Sequence, residues 1–435
     1  AFLQAIGMNS GRIALGIDLR PSSPRLAAAC AAAIRHAGLD VDFGGALPTP
    51  ALAYYAQESG CPAIMVTGSH IPFDRNGIKF YRREGEITKD DEAAITRAVV
   101  TVPEADLTVP LPPINAAATE RYLARYLDFF PKGCLAGMRL GFYEHSSVAR
   151  DLLRQLLERL GAEVVSLGRV DEFVPIDTEA VSDADIEQAR QWAAKYHFDA
   201  ILSTDGDADR PLLGDEHGRW LRGDIVGLLC AQALGATAVA STVSGNTALE
   251  RCGAFPRIVR TRIGSPYVIA AIEGLIAEGV GPVVGFEPNG GFLVGTPIER
   301  HGKVLAPLLT RDAALPILTL LAEARARRQP LSELLRPLPA RFTASDRLPD
   351  FPTEISRALV QQLASSDAVR RDLLGGLGAP VVKTDETDGL RLFLENGDIV
   401  HFRPSGNAPE LRCYAESGSS EKATALVRDG LRRLA

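Results

Sequence analysis

The chain has 435 residues, 46% hydrophobic and 23% charged, with a formal net charge of −7. These are the values of a soluble globular protein, and the length calls for roughly three domains rather than one core. The acidic balance argues against nucleic acid or an anionic membrane surface as partner, so an anionic substrate would need basic residues gathered locally. The opening stretch AFLQAIGMNSGRIA lacks a basic n-region and a long apolar core and does not read as a signal peptide; without an initiating Met, the natural chain is expected to begin earlier. The first strand is expected at RIALGIDLR, and Arg20 follows it. Next, AIMVTGSHIP carries an apolar run into Ser69 and His70, and the Asn76-Gly77 turn brings Lys79 back beside it.

The pattern of strand, helix and polar loop then recurs. MRLGFYEHS and ATAVASTVS open two further units. In SVARDLLRQLLERLGAE the leucines fall on one helical face. DAILSTDGDADR and GPVVGFEPNGGF repeat the passage from apolar strand to glycine-bearing loop. Such alternation reads as α/β with largely parallel sheets, and ligands gather beyond the carboxyl ends of such strands. Three α/β domains and a smaller α+β domain around a central cleft are expected, with boundaries at 1–133, 134–235, 236–339 and 340–435. The uncharged stretch from Ile225 to Leu249 is interrupted by Gln232, Thr237, Ser241, Thr242, Ser244 and Asn246. It reads as a buried helix ending near Gly235 and then a strand, not a membrane span. The cysteines Cys30, Cys61, Cys134, Cys230, Cys252 and Cys413 form no CxxC pair, which fits a reducing cytoplasm.

Asp205, Asp207 and Asp209 alternate with small residues, so an extended backbone would put the three carboxylates on one face. They repel unless a cation lies between them, and all-oxygen ligation suits Mg²⁺; the competing reading is a solvated acidic turn. A calcium loop is excluded, because Arg210 stands at the sixth position, where that loop needs glycine. Ser69 is either a phosphoryl acceptor assisted by Lys79 or an ordinary hairpin serine, and no GxSxG surrounds it. Glu287 and Asn289 suit hydrogen bonding to sugar hydroxyls. In RPSGNAPELR, Arg403, Ser405, Asn407 and Arg412 flank Gly406 in a stretch suited to an anion nest. Of the seven histidines only His70 lies in such a loop, and the others read as surface or core-edge residues.

Serine loop, Asp triplet, Glu loop and arginine–serine loop, in this order, resemble the α-D-phosphohexomutase superfamily, and phosphomannomutase/phosphoglucomutase most of all. The resemblance implies four domains around a cleft and a phosphoserine at Ser69. It also implies a Mg²⁺ held by Asp205, Asp207, Asp209 and a phosphoserine oxygen. Glu287 and Asn289 would read sugar hydroxyls, and Arg403, Ser405, Gly406, Asn407 and Arg412 would hold the phosphate that is not reacting. Arg20, His70, Lys79 and Arg210 match active-site positions of the family, with Lys79 as general acid or base. The implied reaction interconverts hexose 1- and 6-phosphates, of mannose first and glucose second, through a hexose 1,6-bisphosphate that also serves as activator. Ile71 and Asn289 stand where many members have asparagine and serine, Asn407-Ala408 where Thr-Glu is commoner, and the family's early glycine-arginine segment is missing upstream of GIDLRPSS. Phosphoglucosamine mutase, a metal-dependent phosphatase and an inactive sugar-phosphate-binding relative are the alternatives. The expected setting is cytoplasmic, with small hexose phosphates as partners, no nucleic acid and no membrane.

Overall fold

A computed structural model describes residues 1–100, 110–375, 377–406 and 409–434. They divide into two compact units, Ala1–Val239 with Ile269–Arg336, and Ala240–Val268 with Pro337–Ala435.

In the first unit, β1 (Arg12–Ile17), β2 (Asp40–Ala46), β3 (Ala63–Val66) and β4 (Ile78–Tyr81) form a sheet of order β2-β1-β3-β4. β1 is parallel to β2 and β3, while β4 runs antiparallel to β3. Ile13, Leu15, Phe43, Ile64 and Val66 pack with Ala27, Ala31 and Ile34 of the helix Ser23–His36. A second sheet repeats the plan: β5 (Arg139–Tyr143), β6 (Glu163–Leu167), β7 (Ala200–Thr204) and β8 (Pro211–Gly214), in the order β6-β5-β7-β8. Leu152, Leu153, Leu156 and Leu157 are buried along one side of the helix Arg150–Arg159, as the leucine spacing predicts.

β9 (Ala238–Thr242) carries the chain into the second unit, where β10 (Arg257–Thr261) lies. Back in the first unit come β11 (Val283–Phe286), β12 (Phe292–Val294), the hairpin of β13 (Ile298–Arg300) with β14 (Lys303–Leu305), and β15 (Leu308–Asp312). β12 is antiparallel to both β11 and β15. The sheets are therefore mixed rather than largely parallel. After each of β3, β7 and β11 a polar, glycine-bearing loop folds the next strand straight back instead of leading into a crossover helix. The loop itself is thus held at the carboxyl end of a buried strand.

The second unit closes with β16 (Phe342–Leu348), β17 (Val381–Asp385), β18 (Leu390–Leu394), β19 (Ile399–Pro404) and β20 (Leu411–Ser417). They form an antiparallel sheet of order β16-β20-β19-β18-β17. Its core joins Leu392, Phe402, Leu411 and Cys413 to Leu363 of the helix Thr353–Ser365 and to Val427 and Leu431 of the helix Ser420–Leu434. This is the α+β character expected of the chain's last part.

The helix Gly223–Ala233 is short and buried, and Gly235 follows at φ 70°. Among the described residues no helix is long and apolar enough to cross a membrane. The six cysteines are free. Within RRQPLSELLRPLPARF the boundary between the two units falls at Arg336 and Pro337, just after a 3-10 turn, Leu331–Leu334, with Leu331 and Leu334 buried. One expectation changes: His145 and His401 are not core-edge residues but sit at 0% and 2% exposure.

Candidate active site

The serine loop is fixed from beneath by Asp18 and Arg20, which follow β1. Thr67 Oγ1 donates to Asp18 Oδ2 at 2.8 Å, and Ser69 N–H donates to Thr67 Oγ1 at 2.8 Å. All the nitrogens of the fully buried Arg20 guanidinium are engaged. Nε donates to Asp18, Nη1 to the carbonyls of Pro72 and Arg75, and Nη2 to those of Ser69 and Ile71. Its plane also lies 4.1 Å from the Phe173 ring centroid. Arg20, expected among the reacting groups, is thus spent on the backbone of the loop that carries Ser69. Ser69 itself takes φ 52°, an uncommon backbone state for a residue with a side chain, held by these bonds.

The Asp triplet lies beyond β7. The sequence pattern suggested extended alternation; instead, residues 205–210 form a turn with Ala208 at φ 59°, and the turn brings the carboxylates together. Asp205 N–H donates to Arg210 O and Arg210 N–H to Asp205 Oδ1, closing the turn at its base. A neighbouring segment after β5 supports it: His145 Nε2–H donates to Thr204 O at 2.9 Å, Ser147 Oγ lies 2.6 Å from Thr204 Oγ1, and Val148 N–H donates to Gly206 O. Gly206 is needed where it stands, since a Cβ there would lie 2.9 Å from Ser69 O.

The two loops meet. Ser69 Oγ donates to Asp205 Oδ2 at 2.6 Å. β4 pairs Lys79 with Met65, and the Lys79 ammonium reaches Asp207 Oδ2 at 2.6 Å and Asp209 Oδ2 at 2.7 Å. Arg210 Nη1–H donates to His70 Nδ1 at 2.9 Å, which makes that nitrogen the acceptor and leaves the ring proton on Nε2. Burial and the Arg210 charge push the His70 imidazolium down to about 4, so the ring is neutral near pH 7.

The Glu287 loop after β11 joins the same group. Arg311, on β15, donates from Nη2 to Asp209 Oδ2 at 2.8 Å and from Nη1 to Glu287 Oε1 at 3.2 Å. Asn289 turns inward: its Oδ1 accepts Gly291 N–H at 2.9 Å, and its carbonyl accepts Thr178 Oγ1–H at 2.7 Å. Of the Asn289 side chain, Oδ1 is thus spent within the turn itself.

Burial and the charges of Asp207 and Asp209 raise the Asp205 carboxyl well above the ordinary range. Burial also opposes ionisation of Asp209, but Arg311, Lys79 and Arg210 outweigh it and hold that carboxyl far below the usual value. For Lys79 burial favours loss of the proton, and Asp207 and Asp209 together reverse the effect and raise the ammonium.

The phosphoglucomutase/phosphomannomutase alpha/beta/alpha domains I, II and III match residues 1–105, 122–218 and 222–342, and the C-terminal domain of the same family matches 355–433. The chain belongs to the phosphoglucomutase/phosphomannomutase family. It is 50% identical over 418 residues to a phosphomannomutase of Salmonella muenchen, covering 95% of this chain and 86% of that one. It is 45% identical to a phosphomannomutase of Sinorhizobium fredii, covering 98% and 91%. The crystal structure of a putative phosphomannomutase from Thermus thermophilus shares the fold, with TM-score 0.76 and 21% identity over 100% of this chain and 92% of that one. The protein is a phosphohexomutase.

In this phosphohexomutase Asp205, Asp207 and Asp209 offer ligand atoms all within 4.8 Å of one another. Both oxygens of Asp205 and the Oδ2 atoms of Asp207 and Asp209 are engaged by the protein, while the Oδ1 atoms of Asp207 and Asp209 are buried and accept no hydrogen bond, with Arg210 Nε 3.5 Å from that of Asp209. Orphaned anionic oxygens of this kind fit a hard cation. Thr49 and Arg311 are members of the site that the motifs did not single out. Thr49 opens the helix Thr49–Ser59 and reaches Asp207, while Arg311 sits inside a strand rather than in a glycine-bearing loop. A basic residue one position short of a strand's carboxyl end was the available signal for Arg311.

In the second unit, Arg403 Nε donates to Asp388 Oδ2 at 2.9 Å, Arg412 lies 3.4 Å from Glu410 Oε2, and buried Ser405 donates its N–H to Glu410 O. Gly406 is exposed, and Asn407 lies outside the described residues.

Proposed function

We propose that this phosphohexomutase interconverts mannose 1-phosphate and mannose 6-phosphate through a phosphoserine at Ser69 and a hexose 1,6-bisphosphate. The observation that carries the reading is the 2.6 Å hydrogen bond from Ser69 Oγ to Asp205 Oδ2, inside a buried carboxylate triplet. Mannose is favoured by the two relatives of 45–50% identity, both phosphomannomutases. Asp205, Asp207 and Asp209 would hold Mg²⁺, together with an oxygen on Ser69; bound there, the ion supplies charge neutralisation for the transferring phosphoryl group.

The remaining roles belong to the chain. Arg20 and Asp18 set the serine loop so that Oγ points at the triplet. Lys79 carries the proton that the sugar hydroxyl gives up or receives. Arg210 and neutral His70 border the phosphoryl group, with Arg210 the charge that faces it. Glu287 accepts from sugar hydroxyls. Arg403, Ser405, Gly406, Asn407 and Arg412 bind a phosphate, with Arg403 held towards Asp388 through Nε and Arg412 lying beside Glu410. The four-domain division at residues 133, 235 and 339 belongs to the same reading.

Phosphorus NMR of the protein with mannose 1-phosphate, Mg²⁺ and a trace of glucose 1,6-bisphosphate tests it. A growing 6-phosphate signal, abolished by Ser69→Ala, is expected. Inorganic phosphate as the main product would make the protein a phosphatase, and full turnover by Ser69→Ala would remove the serine from the mechanism.

A further inference from the structure

Among the described residues, Arg311 donates hydrogen bonds to both the Asp triplet and the Glu287 loop. Both Nε and Nη2 address Asp209 Oδ2, at 3.1 and 2.8 Å, while Nη1 addresses Glu287 Oε1 at 3.2 Å. The guanidinium is planar and rigid, so fixing one edge on Asp209 fixes the direction in which the other presents Glu287.

Its base is equally constrained. The next residue, Asp312, accepts hydrogen bonds from the buried hydroxyls of Tyr122 and Tyr126 and from Ala314 N–H. Its stem lies across Gly291, where a Cβ would stand 2.4 Å from the Arg311 Cδ. Glu287 is 2% exposed, and its carboxylate has Arg311 as its ion-pair partner within the described residues.

We propose that Arg311 is a specificity-determining positioning residue: it aims the Glu287 carboxylate at the sugar hydroxyls and takes its own register from the metal loop. The inference rests on the mutase reading above. A site that reads a hydroxyl through one aimed carboxylate discriminates epimers by orientation. Loosening the aim should therefore raise KM and blur discrimination between mannose and glucose phosphates, which differ at a single hydroxyl.

The test compares Arg311→Lys, Arg311→Met, Glu287→Gln and the double variant Glu287→Gln/Arg311→Met. For each, kcat and KM are measured on mannose 1-phosphate and glucose 1-phosphate, with thermal unfolding as the check on folding. Arg311→Lys keeps the charge and loses the fork. It is expected to raise KM for mannose 1-phosphate about tenfold and to narrow the ratio of kcat/KM between the sugars by about fivefold. In the Glu287→Gln background, Arg311→Met should add less than about twofold, because the two residues act as one unit. Gly291→Ala, which pushes on the Arg311 stem, should reproduce the Arg311→Lys behaviour. Should Arg311→Met fail to fold, Arg311→Lys and Gly291→Ala decide. Unchanged KM and unchanged sugar ratio in folded Arg311→Lys would overturn the proposal, as would effects of Arg311→Met and Glu287→Gln that multiply. A wild type that isomerises neither sugar would overturn the mutase reading instead, and the same cycle would then be read on hexose-phosphate binding by calorimetry.

Discussion

Thr49 donates its Oγ1–H to Asp207 Oδ2 at 2.5 Å and its N–H to Asp207 O at 2.9 Å, joining the start of a helix in the first sheet's layer to the turn beyond β7. The hydroxyl and Lys79 occupy the same carboxylate oxygen, so Asp207 Oδ1 is left to face elsewhere. Groups that orient a metal-binding carboxylate cost about 10- to 100-fold in affinity or activity when removed. Thr49→Val should therefore weaken Mg²⁺ activation by about tenfold, with Thr49→Ser restoring most of it. A Mg²⁺ titration of turnover for the three proteins checks this, and equal titration curves would count against the role.

Gly68 lies where a Cβ would stand 2.7 Å from Arg20 Cζ. The end of an arginine normally swings aside at little cost, but this one is tied to four loop carbonyls and Asp18. Gly68→Ala should displace the guanidinium and release the loop that aims Ser69. The expected result is a folded enzyme with kcat reduced about 100-fold, in line with the sensitivity of phosphoryl transfer to small misplacements. Steady-state kinetics with circular dichroism would show it, and retained kcat would mean the loop holds its shape without Arg20.

The strands leading to Ser69, Asp205 and Glu287 were legible because each is a short apolar run ending at glycine and polar residues; the tight turn expected at Asn76-Gly77 is not formed, and Lys79 returns through the longer loop 67–77, which turns at Phe73-Asp74 with Arg75 N–H on Pro72 O. The mode of convergence was not legible. Alternating aspartates suggested a strand, whereas the positive φ of Ala208 makes a turn, a choice set by the segment His145–Val148 packed against it. Arg20 read as an active-site residue, but a sequence does not display the loop carbonyls that surround it. Thr49 and Arg311 stayed hidden because their partners lie far along the chain and neither sits in a loop with special backbone chemistry. That the turn carrying Asn289 uses its Oδ1 internally was likewise not displayed by the sequence.

Mg²⁺ should stabilise the protein as well as activate it. The Oδ1 atoms of Asp207 and Asp209 are buried and accept no hydrogen bond, and a cation binding the native state alone adds about 2.7 kcal/mol when present at 100 times its Kd. Thermal unfolding with EDTA, with Mg²⁺ and with matched NaCl should show a rise specific to Mg²⁺, absent in Asp207→Asn, and EDTA should abolish turnover. The same melting temperature in all three solutions, with turnover intact in EDTA, would remove the metal from this site.

His145 and His401 predict how stability responds to acid. His145 is held neutral by burial, with Nε2–H on Thr204 O, Nδ1 unpartnered and Arg150 adding repulsion; its imidazolium is pushed down to about 4. His401 in the second unit is likewise pushed down to about 4, by burial and Arg391, with Nε2 on Asp388 O at 2.5 Å. In the unfolded chain both titrate near about 6.5. Between those values the unfolded state binds protons that the native state refuses, so stability falls as pH drops, by about 1.4 kcal/mol per pH unit for each histidine. Above about pH 6.5 both states are neutral and the effect is absent; below about 4 both are charged and it adds no more. Denaturant unfolding at pH 7, 6, 5 and 4.5 should show the decline, and His401→Gln should reduce its slope by one proton in the transition of the second unit. If that slope is unchanged in the variant, His401 is not the group that couples folding to acid.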